Sequence, residues 1–139
     1  MSIEGVSRSP GVFASARSNA PTWRGEKIHG GPGQGMLTQT DLNVFSEALG
    51  KKVSWPPGDT LTPMGMGILA MAREGAITRG EDLDAVATMF AVNRTYQRTE
   101  GKTIFDDNVI SAAIRHYGST SSTEARSFLA NGGRSDLYA

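Results

Sequence analysis

The sequence predicts an all-α fold, a small bundle of about five short helices, with residues 1–35 as a flexible N-terminal arm and residues 36–139 as a single helical domain. Three observations predict it. First, a hydroxyl-bearing residue is followed by an acid in a helix-start pattern at Thr38/Asp41, Thr78/Glu81, Thr103/Asp106 and Ser121/Glu124. A Thr or Ser oxygen accepts a hydrogen bond from a free amide of a first helical turn, and the acid answers it or complements the positive end of the macrodipole. Second, apolar residues recur behind these signals at three- and four-residue intervals, without sustained strand alternation. Third, the run Gly30-Gly31-Pro32-Gly33-Gln34-Gly35 separates an apolar-poor leader from the rest, because so many glycines and a proline are poorly suited to regular structure.

Each element follows from local pattern. Thr38 to Leu49 puts Leu42, Phe45 and Leu49 on one face, and Gly50 suits the left-handed position that ends a helix. Lys51 to Asp59, with Trp55-Pro56-Pro57-Gly58, is a connection in which the prolines lack amide donors. Thr62 and Pro63 open a second helix through Met64, Ile68, Leu69, Met71 and Ala72 to Gly75. Gly65 and Gly67 weaken it by about 1 kcal/mol each relative to alanine, so it needs tertiary support. The pattern predicts a third helix from Arg79 to about Asn93 or beyond, a fourth from Asp106 to Tyr117 ended by Gly118, and a last one from Glu124 to Ala130. Lys52–Trp55 and Lys102–Phe105 are candidates for brief extended pieces.

Charge and composition narrow the function. The chain of 139 residues balances 14 basic against 14 acidic side chains, which removes the global field that would draw it to nucleic acid or an anionic membrane. Zero cysteines exclude disulfides, thiolate metal sites and cysteine nucleophiles. No stretch approaches the ~20 apolar residues of a membrane span, and the arm lacks the apolar core of a cleaved secretory signal. The arm's Ser, Arg and Ala content is similar to that of organelle transit peptides and of leaders exported by bacterial type III secretion machines.

Several motifs invite chemistry. His29-Gly30-Gly31-Pro32-Gly33 resembles the oxyanion loop of prolyl iminopeptidases, yet the Gly-x-Ser-x-Gly elbow that family requires is missing. Gly101-Lys102-Thr103 ends like a phosphate-binding loop, but position 96, where the first glycine belongs, is Tyr96. Gly75, Ile77 and Glu81 resemble the sixth, eighth and twelfth positions of an EF-hand loop. Ala70, Ala72 and Glu74 stand where the first calcium ligands belong, so the resemblance implies a degenerate, metal-free EF-hand-like pair over residues 61–117. Glu81, Asp82 and Asp84 are the densest acidic cluster and read as first-turn residues. His29 and His116 are the only histidines, and no Ser-His-Asp set or metal-ligand spacing is visible.

These readings lead to a non-enzymatic helical protein-interaction module with no catalytic residue, cofactor or metal. Met64, Met66, Ile68 and Met71 on the second helix are the expected partner-binding residues, since thioethers adapt to apolar binding surfaces. The expected partner is another protein. A bacterial virulence or translocation-associated factor, exported without a cleaved signal, is one concrete form. The alternatives are a structural subunit of a larger assembly and a small enzyme using His29, the Gly30–Gly35 loop and a carboxylate from Glu81 or Asp106.

Overall fold

A computed structural model of the protein describes residues 25–58, 62–118 and 123–132. It is mostly helical, with a two-stranded antiparallel hairpin placed before the helices. In chain order the elements are β1 (Ile28–Gly31), β2 (Gly35–Thr38), α1 (Gln39–Leu49), α2 (Met64–Thr78), α3 (Ala85–Glu100), α4 (Asp107–Tyr117) and α5 (Thr123–Ala130). β2 and α2 pack together, α1 lies on α4, and α3 contacts both α4 and α5.

The hairpin corrects the reading of the glycine run as an unstructured break. Ile28 pairs with Thr38 and Gly31 with Gly35 around the exposed turn at residues 32–34. Tertiary contact explains why glycine is used there. Gly30 has φ +98°, and a Cβ at that position would lie 2.2 Å from the Gly35 carbonyl oxygen and 2.8 Å from the Trp55 ring. Gly35 has φ +89°, and a Cβ there would meet the Ala70 Cβ at 2.9 Å. The glycines let the hairpin lie flat between Trp55 and α2, a close approach closed to any larger residue. Trp55 Nε1 donates to the Gly35 carbonyl at 2.9 Å. Residues 25–35, assigned from sequence to the arm, therefore include a strand and a turn of the fold; residues 1–24 lie outside the described residues.

α1 begins where the sequence places it. Thr38 accepts from the Asp41 amide and the Asp41 carboxylate accepts from the Thr38 amide, a complete capping box, while Gly50 closes the far end at φ +72°. The Gln39 amide donates to the Lys27 carbonyl at 3.0 Å and the Thr40 amide to Glu26 Oε1 at 2.8 Å, so the residues before the hairpin satisfy the remaining first-turn donors.

α2 runs three residues past Gly75 to Thr78, and α3 starts six residues later than the spacing suggested. Thr78 ends one helix instead of capping the next. Gly80, at φ +71°, turns the chain, and Asp84 is the true N-cap of α3, accepting from the Ala87 amide at 3.0 Å. The EF-hand-like alignment fails for the same reason: its expected loop runs from Ala70 to Glu81, and residues 70–78 of it are helix. Asp106, not Thr103, caps α4 by accepting from the Val109 amide at 3.1 Å. The Ser121 and Ser122 start signal lies outside the described residues, and the helix there begins at Thr123. Neither Lys52–Trp55 nor Lys102–Phe105 forms a strand.

The core gathers Leu37, Phe45, Leu69, Met89, Phe105 and Ile110 with smaller neighbours from every helix. Phe45 stacks obliquely on Phe105 with ring centroids 6.4 Å apart, and Phe90 meets Phe128 edge-on at 5.8 Å. Gly65 has a packing reason: a Cβ there would lie 2.9 Å from the Phe105 ring. Among the described residues Gly67 has none, because a Cβ there would meet nothing of them within 4 Å.

Candidate functional site

Three places concentrate chemistry or exposed apolar surface. The first is a buried polar cluster. Asp41 is fully buried at the start of α1 and Arg73 is 3% exposed in the middle of α2. Arg73 grips the carboxylate with two bonds, Nε to Oδ2 at 3.0 Å and Nη2 to Oδ1 at 2.9 Å. Tyr117, the last residue of α4, donates its hydroxyl proton to Asp41 Oδ1 and accepts from Arg73 Nη2 at 3.3 Å. Thr38 Oγ1, already accepting from the Asp41 amide, lies 3.2 Å from the same phenol oxygen. With the Thr38 amide on Oδ2 at 3.0 Å, each carboxylate oxygen accepts two hydrogen bonds. Arg73 Nη1 reaches the Leu83 carbonyl at 3.4 Å. The cluster bolts α1, α2 and α4 together and leaves the carboxylate no lone pair to offer a substrate or metal.

Electrostatics follow from that burial. Desolvation opposes the Arg73 charge, but attraction and hydrogen bonding to Asp41 outweigh it and raise its pKa. Tyr117 is pushed well above the ordinary phenol range, chiefly by burial and then by the adjacent Asp41 charge. A group whose folded-state pKa is raised contributes stability that is complete below its unfolded value and fades above it. Stability should therefore fall as pH rises beyond about 10, the ordinary tyrosine value. Urea unfolding between pH 8 and pH 11 checks this: Tyr117→Phe should flatten the fall, and an unchanged slope would contradict it.

The second place is the hairpin tip. Both oxygens of Glu74, on α2, accept backbone amides, Oε2 from Gly33 at 2.7 Å and Oε1 from Gly35 at 2.7 Å. The amides that could stabilise an oxyanion thus already hold an internal carboxylate. His29 Nε2 bonds Gln39 Oε1 at 2.9 Å, Glu81 pairs with Arg79 at 2.9 Å and Asp106 caps α4. The groups considered for a small enzyme are each engaged in a different contact.

The third place is the outward face of α2. Met64 is 59% exposed and Met71 55%, with half-buried Ile68 between them on the same helical stripe. Met66, grouped with them from sequence, is 1% exposed on the opposite side and belongs to the core. The sequence reading missed Asp41, Arg73 and Tyr117 as a unit. Its available signal was the charge of Arg73 on the buried stripe of Met66, Leu69 and Ala70.

Other features are peripheral. Arg115 and His116 both bind Glu47 across α1 and α4, His116 Nε2 at 2.9 Å from Oε1, and these hydrogen bonds hold the Glu47 carboxyl below its usual range. A cleft of about 40 Å³ beside Lys51, Lys52 and Met66 has room for a few waters only. Among the described residues no group of three or more His, Asp or Glu side chains is placed to hold a metal ion, and no helix is long and apolar enough to cross a membrane.

Comparison with known proteins gives no matching family model, no matching curated protein and no matching solved structure.

Proposed function

We propose that the protein is a non-enzymatic helical interaction module that recognises a helix of a protein partner through the outward face of α2. The observation that carries this reading is the exposure of Met64 and Met71 along one stripe with Ile68. A helix facing solvent ordinarily turns charged residues outward, whereas this stripe presents thioethers and a branched aliphatic. Thioethers suit a helix-in-groove contact because they repack around differing shapes. The polar residues that could have done chemistry support the same reading, since Asp41, Arg73, Tyr117 and Glu74 bind one another or the hairpin.

The test uses an 18-residue amphipathic Leu/Gln helical peptide as probe, titrated into the full chain with methyl NMR detection. Saturable shifts at the Met64, Ile68 and Met71 methyls, weakened at least about tenfold in affinity by Met71→Asp, are the expected result. Shifts confined to other residues, or none up to about 1 mM peptide, would remove the reading. The form in which the module is an exported bacterial factor rests on the composition of the leader. Because β1 begins at Ile28, its deletion test removes residues 1–24 and leaves the hairpin intact.

A further inference from the structure

The sulfur of this chain is sorted by position. The sequence has 6 methionines and no cysteine, so no thiol competes with the thioethers for an oxidant. Among the described residues, Met64 and Met71 stand on the outward face of α2 with more than half of their surface exposed, whereas Met66 and Met89 are sealed in the core and Met36 is half-buried in β2. Gly67 lies on the same face, three residues after Met64 and four before Met71, and a Cβ there would meet none of the described residues within 4 Å. No side chain at that position screens either thioether. The Met71 sulfur lies beside the hairpin, 3.3 Å from where a Cβ on Gly35 would be.

A hydroperoxide oxidises a thioether in a two-electron step that needs no other reactant. The sulfur lone pair attacks one peroxide oxygen, and the O–O bond breaks as the S–O bond forms. The proton on the transferred oxygen passes to the departing one, leaving a sulfoxide and, from hydrogen peroxide, water. The product carries a polar oxygen that accepts hydrogen bonds, and methionine sulfoxide reductases, one for each epimer, reverse it. An apolar partner laid over such an oxygen would bury it without a donor, which opposes binding. The thioethers that hold the core, Met66 and Met89, are the ones an oxidant does not reach.

We infer that Met64 and Met71 are a reversible oxidation site: a hydroperoxide acting on their two sulfurs turns the outward face of α2 from apolar to polar and releases a helical partner while the fold stays intact. The release rests on the recognition surface proposed for α2, whereas the choice of sulfurs rests on exposure alone.

The test treats the full chain with hydrogen peroxide and follows each methionine by peptide mass mapping. Sulfoxide should form at Met64 and Met71 at least about tenfold faster than at Met66 and Met89. The Gly35 amide resonance should shift as Met71 reacts, with the far-ultraviolet circular dichroism unchanged. The oxidised chain should bind the Leu/Gln helical peptide at least about tenfold more weakly, and the reductases should restore the affinity to within about threefold. Met64→Leu combined with Met71→Leu keeps the stripe apolar without sulfur, so the peptide affinity of this variant should be the same before and after peroxide. Equal oxidation of all four sulfurs, loss of helix as Met64 and Met71 react, or a leucine variant that loses the peptide on oxidation as the parent does would each overturn the inference. A parent that binds the peptide equally well oxidised and reduced would overturn this inference alone, and a parent that never binds it would remove the recognition reading and the switch together.

Discussion

Arg73→Met should destabilise the protein by about 3–5 kcal/mol, the largest effect expected of any single substitution in the described residues. The reason lies less in the attraction between Arg73 and Asp41 than in what its loss leaves behind. Asp41 is fully enclosed, and its carboxylate relies on Arg73 for two hydrogen bonds and for its one cationic partner among the described residues. Removing the guanidinium strands a charge away from water. Against the 5–15 kcal/mol that separates typical folded and unfolded domains, a loss of that size removes a large fraction of the stability. Urea unfolding followed by circular dichroism measures the loss, and a change below about 1 kcal/mol would show that water reaches Asp41. Pairing Arg73→Met with Asp41→Leu should recover part of the deficit, because two apolar groups replace an unpaired charge. Recovery is incomplete, since Asp41 also accepts from the Thr38 amide and completes the cap of α1.

Asn93→Leu should cost about 3 kcal/mol for a different reason. Asn93 is fully buried in α3 and clamps the connection to α4. Its Oδ1 accepts from the Ile104 amide at 3.0 Å and the Phe105 amide at 2.8 Å, while its Nδ2 donates to the Phe105 carbonyl at 2.8 Å. Leucine keeps the branched shape but makes none of these bonds, leaving buried backbone groups without partners. Phe105, which packs on Phe45 and over Gly65, is positioned by this clamp. Amide exchange at Ile104 and Phe105 should quicken by an order of magnitude or more, well beyond the change at α5. Equal acceleration everywhere would mean that only global stability had fallen.

What could be read in advance follows the range of the interactions involved. α1 was legible from end to end because its start and stop are local: Thr38 and Asp41 cap each other, and Gly50 takes the left-handed position. The boundary between α2 and α3 was misplaced because Thr78 and Glu81 spell the same local signal as Asp84, and local spacing does not say which of two adequate caps is used. The hairpin was missed because glycine content argues against strands unless a ring and a helix lie close enough to demand it, as Trp55 and Ala70 do. On the proposed surface, Met64, Ile68 and Met71 share a stripe at helical spacing, whereas Met66, two residues from Met64, falls on the far side. The Arg73 cluster joins positions 32 and 76 residues apart, a distance at which sequence spacing carries no information.

That separation also governs how the chain chooses among compact shapes. A collapsed arrangement that buries the beginning of α1 without delivering Arg73 and Tyr117 carries an uncompensated anion, and is penalised by several kcal/mol. An all-apolar seam would let α1 slide or rotate against its neighbours at little loss, as uniform cores do. The carboxylate works as a key with one accepting lock: it rejects misregistered packings, and so helps a short chain with small helices settle on a single topology.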